Sequence, residues 1–214
     1  TGMVFDFPKL IAHAAKTRET FVRADHSTYH AVEYDPVTGK RLRGYTFQGY
    51  ADESTWPRGQ AWAIYGYVVS ARETGKVEYL HLAEQLATYY LGRLQNSLIP
   101  PWDFDAPKER GTIRDSAAAA ITASALLDLG QLQVDLGTGD KWITHSLAIL
   151  EELCRDFLAR EQQHRGLLKH GCYSKPHNEG VDSATMFGDF FFVEALAKVL
   201  LPGKFQSEVG SIAW

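Results

Sequence analysis

The feature that most constrains the fold is an alternation between two kinds of helical segment along the chain. Apolar residues recur at helical spacing in six segments, and patterns typical of strands are scarce. The segments at about 6–24, 77–95 and 139–160 carry one apolar stripe opposite a polar face, which is typical of surface helices. The segments at about 57–73, 116–135 and 183–200 are apolar nearly all round, as helices buried on every side must be.

This alternation predicts an all-α fold of the (α/α)6 toroid type, in which inner helices form a ring and outer helices surround it. A Thr-Gly pair recurs at 1–2, 74–75 and 138–139, each time before a segment with a polar face, so the repeating unit is a helical hairpin. A plain bundle would not explain why alternate helices are apolar all round. Six alternating helices make about half a toroid, and we expect residues 1–214 to form a single domain of this kind.

Composition narrows the classes of partner and compartment. The net charge is −4 and the basic residues are scattered singly, which argues against nucleic acid and membrane surfaces as partners. No apolar run is long enough to span a bilayer, and the first residues lack the pattern of a signal peptide. Two cysteines, Cys154 and Cys172, make neither a disulfide framework nor a metal cluster. We therefore expect a cytoplasmic protein with reduced thiols.

The three inner segments open in a similar way. Pro57 follows a Glu-Ser-Thr-Trp run, Asp115 precedes the alanine-rich segment, and Asp182 precedes the last one. These helix starts should line one rim of the arc, with their partial positive charge facing a common cleft. Asp115 and Asp182 are each interpreted first as N-caps.

A candidate binding face begins at the first of these starts. Arg58 and Trp62 are one helical turn apart, and Tyr65 is three residues further on, so all three share a face. An arginine beside a tryptophan at the mouth of a cleft suits a carboxylate held by the guanidinium and a sugar ring stacked on the indole. A core tryptophan beside a structural arginine is an equally open interpretation of the same spacing.

Other residues of chemical interest have weaker patterns. Asp103 and Asp105 are two residues apart in an extended loop and should point to opposite sides, which favours a packing loop over a catalytic carboxylate pair. His30, His170 and His177 do not fall at metal-ligand spacing, so no metal site is expected. His170 and His177 are interpreted as loop residues.

Five stretches, in this order, resemble the unsaturated glucuronyl hydrolases, glycoside hydrolase family 88, from Thr1 to about Leu201. They are S-T-Y-H-A-V-E-Y-D-P-V-T-G-K (27–40), Q-G-Y-A-D-E-S-T-W-P-R-G-Q-A-W-A-I-Y-G (48–66), P-P-W-D-F-D-A-P (100–107), R-D-S-A-A-A-A-I-T-A-S-A-L-L (114–127) and G-D-F-F-F-V-E-A-L (188–196).

The resemblance implies an α/α toroid that acts on unsaturated uronic acid at the non-reducing end of lyase-generated oligosaccharides of the glycosaminoglycan type. It also implies a vinyl-ether hydration in which a carboxylic acid protonates C4 of the C4=C5 double bond and water adds at C5. The resulting hemiketal then opens and releases the next sugar. This chemistry uses neither a metal nor another cofactor.

Carried over by motif, the resemblance gives His30, Gln48, Arg58 and Trp62 as substrate-binding residues. Phe47 stands where the family commonly has a histidine, so the resemblance does not fix the fine substrate preference. The family's two catalytic aspartate motifs do not occur in this chain, so it yields no catalytic residue. We expect the chain alone to be inactive.

Two alternatives to this interpretation stay open. The chain could be a catalytically dead carbohydrate-binding remnant, or a member of the related unsaturated rhamnogalacturonyl hydrolases, although the R-G-Q-x-W and R-D-S-A-A-A motifs favour the glucuronyl branch. Half a toroid would also expose apolar edges. We therefore expect these edges to pair with a second copy or with an N-terminal half preceding Thr1, or else the chain to be poorly soluble.

Overall fold

The computed structural model describes residues 7–107, 113–134, 137–161 and 163–201. Within these ranges the helices are Phe7–Phe21 (α1), Pro57–Thr74 (α2), Val77–Arg93 (α3), Ser116–Leu132 (α4), Asp140–Glu152 (α5) and Met186–Leu200 (α6). A π-helical turn, Leu153–Phe157, continues α5. Two antiparallel hairpins pair Ala31–Tyr34 (β1) with Arg41–Tyr45 (β2), and Gly171–Ser174 (β3) with Glu179–Ser183 (β4).

The alternation of inner and outer helices is confirmed. The inner helices α2, α4 and α6 pack in a row with α4 in the middle, while α3 packs on α2 and α5 packs on α4. Every residue from Ser116 to Leu126 in α4 is buried, as its all-round apolar pattern predicts. The small side chains of this helix allow its neighbours to approach closely, and the architecture is of the α/α toroid type.

One such approach, between α4 and α5, requires glycine on both sides. A Cβ added to Gly130 would lie 2.5 Å from Cγ1 of Ile143, and one added to Gly139 would lie 2.3 Å from the carbonyl oxygen of Gly130. Beside this contact, the indole N–H of Trp142 donates to the side-chain oxygen of Gln133 at 2.8 Å. The Thr-Gly step at 138–139 therefore marks the close turn of one helical hairpin.

The apolar stripes predicted for the outer helices are buried only in part: α3 and α5 each bury one face, whereas Leu10 of α1 and Leu147 of α5 are 49% and 44% exposed. In α3 the buried residues are Tyr79, Leu82, Ala83, Leu86, Ala87 and Tyr90. Burial of a large aliphatic or aromatic side chain stabilises a fold by about 1.5–3 kcal/mol. Two tyrosine hydroxyls also hold α1 in place, since Tyr67 donates to the carbonyl of Ala14 at 3.0 Å and Tyr79 to that of Ile11 at 3.2 Å.

Three expectations about element boundaries were wrong. The last inner helix begins at Met186, and its N-cap is Thr185, whose hydroxyl accepts from the N–H of Gly188 at 3.3 Å. Asp182 is therefore not an N-cap but part of β4, at a φ of 56°. The fifth helix, expected to reach about residue 160, ends at Glu152 and continues only as the π-helical turn Leu153–Phe157. The next residue, Leu158, has left the helix and pairs with Leu168 in an isolated bridge.

The two hairpins were the third miss, because ladders of four or five residues give almost no periodic signal. The first helix, expected at 6–24, is seen as Phe7–Phe21. Residues 1–2, 6 and 135, which belonged to the predicted repeat and helix ends, lie outside the described residues.

Candidate functional site

The site is built around the start of α2. Pro57 occupies the first helical position, and Trp56 before it takes the N-cap position without a capping hydrogen bond from its side chain. Trp56 is only 8% exposed, so its ring lies in the core beneath the rim. The fixed φ of proline favours a helix start here, and the buried indole anchors it.

The two aspartates of the W-D-F-D loop fix the segment that leads into this helix. Asp103 accepts from the hydroxyl of Ser54 at 2.7 Å, and burial raises the pKa of its carboxyl. Asp105 accepts from the N–H of Thr55 at 2.8 Å and pairs with Arg93 at 2.7 Å. Both carboxylates thus hold backbone and side-chain groups of the protein, consistent with the expected packing loop.

Arg58 links three parts of the chain beneath the rim. Its side chain is 2% exposed, and its two terminal nitrogens donate to successive carbonyls of β3, Nη1 to Cys172 at 2.8 Å and Nη2 to Tyr173 at 2.6 Å. Nη1 also lies 3.2 Å from Oδ2 of Asp115. The guanidinium therefore connects the starts of α2 and α4 to the second hairpin.

Asp115 has a role beyond the one predicted. Its Oδ1 accepts from the N–H of Ala118 at 3.2 Å, which confirms the N-cap of α4, and its other oxygen faces Arg58. Burial raises the pKa of the Asp115 carboxyl, while Arg58, the N–H groups at the start of α4 and the N–H of Cys172 in β3 act in the opposite direction. The ion pair was missed, although both residues occupy the first turns of adjacent inner helices that were expected to start at one rim.

His30 stacks on Trp56, whose ring also lies 4.6 Å from the guanidinium carbon of Arg58. Its ring centroid lies 4.3 Å from that of Trp56 and 4.2 Å from that of Phe47, and Nδ1 is 2.9 Å from the hydroxyl of Thr46. Burial, and then the nearby charge of Arg58, lower the pKa of His30 to about 4. The imidazole is therefore neutral near pH 7 and offers one hydrogen-bond donor and one acceptor.

Gln48 and Arg58 meet at the same acceptor. Nε2 of Gln48 donates to the carbonyl of Tyr173 at 2.8 Å, and Arg58 donates to that same oxygen. The two donors come from different elements, and Gln48 is 125 residues from Tyr173 in sequence. The side chain of Tyr173 is itself 47% exposed, so an aromatic ring stands at the edge of the site.

Trp62 joins the group through a shared phenylalanine. Its ring centroid lies 6.4 Å from that of Phe187 and 5.1 Å from that of Phe191, and the guanidinium carbon of Arg58 is 4.9 Å from the Phe187 ring. Trp62 is 37% exposed, so part of its indole is available to a ligand. Tyr65 shares this face, since its ring centroid lies 5.0 Å from that of Phe191, and its hydroxyl donates to Glu194 at 3.1 Å.

The structure thus brings all four predicted residues into one neighbourhood, but not as four open groups. His30, Gln48 and Trp62 are partly exposed, whereas Arg58 is buried with its nitrogens on two carbonyls and a carboxylate. Flat aromatic faces, a neutral imidazole and an amide suit a ring-shaped ligand with hydroxyl groups. Arg58 adds positive charge from behind.

The remaining candidate histidines belong to the second hairpin and its surroundings. His170 contacts Asp182, and His177 lies 2.7 Å from the hydroxyl of Ser174, all in or beside the second hairpin. In the described ranges, no group of three or more His, Cys, Asp or Glu residues is placed to hold a metal ion. A cavity of about 490 Å³ lies on the outer-helix side and includes none of the four predicted residues.

None of the helices within the described part of the chain combines the length and hydropathy that a membrane-spanning segment requires.

Comparison with known proteins gives a consistent result. The chain is 36% identical over 190 residues to an unsaturated glucuronyl hydrolase of Bacillus sp. (strain GL1), covering 88% of this chain and 50% of that protein. It is 33% identical over 194 residues to an unsaturated chondroitin disaccharide hydrolase of Streptococcus agalactiae serotype III (strain NEM316), covering 88% and 48%. No family model matches the chain.

Solved structures agree with these relatives. The crystal structure of the Bacillus sp. GL1 unsaturated glucuronyl hydrolase matches with a TM-score of 0.83 and 34% identity, over 90% of this chain and 52% of that one. That of the Streptococcus agalactiae enzyme matches with a TM-score of 0.81 and 32% identity, over 88% and 48%. The chain spans about half the length of the proteins it matches.

Proposed function

The chain is homologous to the unsaturated glucuronyl hydrolases over about half of their length, and from this we propose that it acts within a glycoside hydrolase of that kind. The substrate class is an oligosaccharide of the glycosaminoglycan type that carries an unsaturated uronic acid at its non-reducing end. The observation that carries the proposal is the meeting of His30, Gln48 and Arg58 around Trp56 and the carbonyl of Tyr173.

Each of the four residues has a role in this proposal. Gln48 and the neutral His30 form hydrogen bonds with sugar hydroxyls, and the exposed part of Trp62 stacks on the ring. Arg58 favours the uronate carboxylate through its charge and keeps β3 in place. The residue Phe47, 50% exposed and stacked on His30, makes the adjoining wall apolar.

The proposed reaction is hydration of the C4=C5 vinyl ether. A carboxylic acid gives a proton to C4, water adds its oxygen to C5, and the carboxylate takes up the proton that the water loses. The hemiketal at C5 then opens and the next sugar leaves. In this chain Asp103, Asp105 and Asp115 all hold protein groups, and the aspartate motifs that the family uses are missing, so we propose that the 214 residues alone do not turn over substrate.

The test uses an unsaturated chondroitin disaccharide and the 214-residue chain. Binding is followed by tryptophan fluorescence and calorimetry, and turnover by loss of the ultraviolet absorbance of the C4=C5 bond. We expect binding that Gln48→Ala and Trp62→Ala weaken, and no loss of absorbance. The saturated disaccharide is the matched control. Measurable turnover would contradict the inactivity, and absence of binding would contradict the site.

The missing aspartate motifs favour a second candidate, a catalytically dead carbohydrate-binding remnant. The full product of the gene separates the two, because it should destroy the double bond only if the protein is an enzyme. A substrate panel that includes an unsaturated rhamnogalacturonan disaccharide distinguishes the glucuronyl hydrolases from the related pectin-directed enzymes.

A contact with another α/α segment is also proposed, either a second copy or an N-terminal half. The support is a stripe on α6 at helical spacing, where the side chains of Met186, Phe190, Val193 and Leu200 are exposed by 87%, 56%, 50% and 70%. Sedimentation velocity tests it, since a monodisperse monomer of this chain would contradict pairing between copies.

We propose a cytoplasmic location, supported by two free cysteines, Cys154 and Cys172. Fractionation of cells that carry the gene tests it, and recovery of the protein outside the cytoplasm would contradict it.

A further inference from the structure

A fully buried ion pair stands behind the site, and it holds more than the two helices it joins. The side chains of Arg58 and Asp115 are 2% and 0% exposed. One oxygen of Asp115 caps α4 while the other faces Arg58. Arg58 in turn donates hydrogen bonds to the carbonyls of Cys172 and Tyr173. The pair therefore couples the first turns of α2 and α4 to β3.

The two acceptors of this guanidinium are the carbonyls of consecutive β3 residues, Cys172 and Tyr173. Next to them the pairing register shifts between Gly171 and Cys172, because β4 carries one extra residue there, Asp182, at a φ of 56°. Such a bulge bends the strand that holds the extra residue, which is β4. The ladder is therefore irregular beside the contact with Arg58.

The hairpin depends on contacts outside its own sheet. Within the described residues, β3 pairs with β4 alone in a two-stranded sheet, and such a hairpin is marginally stable by itself. Immediately before β3, the carbonyl of His170 accepts from the N–H of Ser116 at 3.2 Å. Ser116 is the first residue of α4, so this bond also joins the hairpin to the start of that helix. We call the contacts of Arg58 with Asp115 and with the carbonyls of Cys172 and Tyr173 the Arg58 clamp. The clamp and the Ser116–His170 bond therefore fix the position of Tyr173 relative to Gln48.

We propose that Asp115 is a positioning residue that, through Arg58, fixes the hairpin Gly171–Ser183 against the binding site. Without the carboxylate, Arg58 is a buried charge with only carbonyl acceptors, and it draws water into the contact. The hairpin then loosens, and the acceptor shared by Gln48 and Arg58 moves. The effect on ligand affinity rests on the proposed function, whereas the clamp itself does not.

The first experiment measures amide hydrogen exchange in Asp115→Asn. Asparagine keeps the shape of the side chain and its N-cap oxygen but removes the charge. We expect exchange in residues 168–183 to become at least tenfold faster, with α3 and α5 unchanged. Asp128→Asn, a change to another carboxylate of α4 that pairs with Arg72 and Lys198, is the matched control and should leave this segment as in the wild type. Unchanged exchange of 168–183 in a folded Asp115→Asn would overturn the proposal.

A measurement on the wild type guards against a variant that fails to fold. NMR of the arginine side chains should find the terminal N–H groups of Arg58 resolved and protected, because both terminal nitrogens donate to carbonyls and the side chain is 2% exposed beside the Asp115 carboxylate. A freely rotating, rapidly exchanging Arg58 guanidinium would overturn the clamp.

The ligand arm separates this inference from the proposed function. The wild type and Asp115→Asn are titrated with unsaturated chondroitin disaccharide, and we expect affinity to fall at least tenfold in the variant. If the wild type binds the disaccharide and Asp115→Asn binds it with the same affinity, the positioning role is overturned. A wild type that does not bind contradicts the proposed function instead, and the exchange experiment still decides the clamp.

Discussion

Two regions of the same three inner helices use buried charge differently. At the rim, Arg58 and Asp115 are enclosed and hold the backbone of a distant hairpin. Further along the helices lies an ionic layer, defined by Tyr65 and Arg72 of α2, Ser124 and Asp128 of α4, and Glu194 and Lys198 of α6. There the charges bind one another, with Lys198 Nζ 2.9 Å from Asp128 Oδ2 and 3.3 Å from Glu194 Oε2.

Charged groups in the ionic layer have several partners each, and the layer is more exposed to solvent than the rim pair. Glu194 contacts the hydroxyls of both Tyr65 and Ser124 in addition to Lys198, and the side chains of Asp128 and Glu194 are 18% and 11% exposed. Loss of one partner there leaves others, and water can reach the carboxylates. The rim pair has no such exposure. We therefore expect the loss of stability on removing a charge to depend more on the burial of its partner than on the number of its contacts.

The largest effect is expected at the rim, for Arg58→Met. This change leaves Asp115 as an uncompensated buried carboxylate, which should lower the free energy of unfolding by about 3–5 kcal/mol. Urea denaturation measures it. A loss below about 1 kcal/mol would mean that the pair is accessible to water and that the two regions do not differ as described.

The matched change in the ionic layer is Lys198→Met. Because Asp128 keeps Arg72, and Glu194 keeps Tyr65 and Ser124, we expect a smaller loss of about 2 kcal/mol. Affinity for the disaccharide should stay at the wild-type value, since no residue of this layer belongs to the proposed site. A cost equal to that of Arg58→Met would remove the distinction between the regions.

The pH dependence of stability sharpens the description of the rim. The pKa of His30 is lowered from 6.5 to about 4, so the unfolded chain takes up this proton at a higher pH than the folded protein does. The stability associated with neutral His30 is thus fully present above about pH 6.5 and is lost as the pH falls toward about 4.

At about 1.4 kcal/mol per pKa unit, discounted because the ring is partly exposed, we expect His30 to account for about 1–2 kcal/mol of this loss. The measurement is the difference in unfolding free energy between the wild type and His30→Asn across this range. A difference that does not vary with pH would show that His30 titrates normally.

The smallest effect on stability is expected for Trp62→Ala. The indole is 37% exposed, so the free energy of unfolding should fall by about 1 kcal/mol, while affinity for the disaccharide should fall about tenfold through loss of stacking. Calorimetric titration and urea denaturation of one variant separate the two quantities. Unaltered affinity would place the ligand away from Trp62.

Much of the helical framework could be predicted, because helix type depends on local periodicity. The inner character of α4 followed from a run of small apolar residues, and its start followed from Asp115. The start of α6 could not be predicted in this way, because Asp182 before it has the same chemistry as a cap. Only the pairing of β4 with β3 removes Asp182 from the helix.

The sequence by itself determined the alternation of inner and outer helices and the shared face of Arg58 and Trp62, since both depend on residues within a few turns of one another. The use of that face was decided by tertiary structure. The partners of Arg58 lie in β3, 114 and 115 residues further along the chain, and the partner of Gln48 lies 125 residues away. Contacts of that range depend on how the helices pack and where a short hairpin settles, and periodicity carries no information about either.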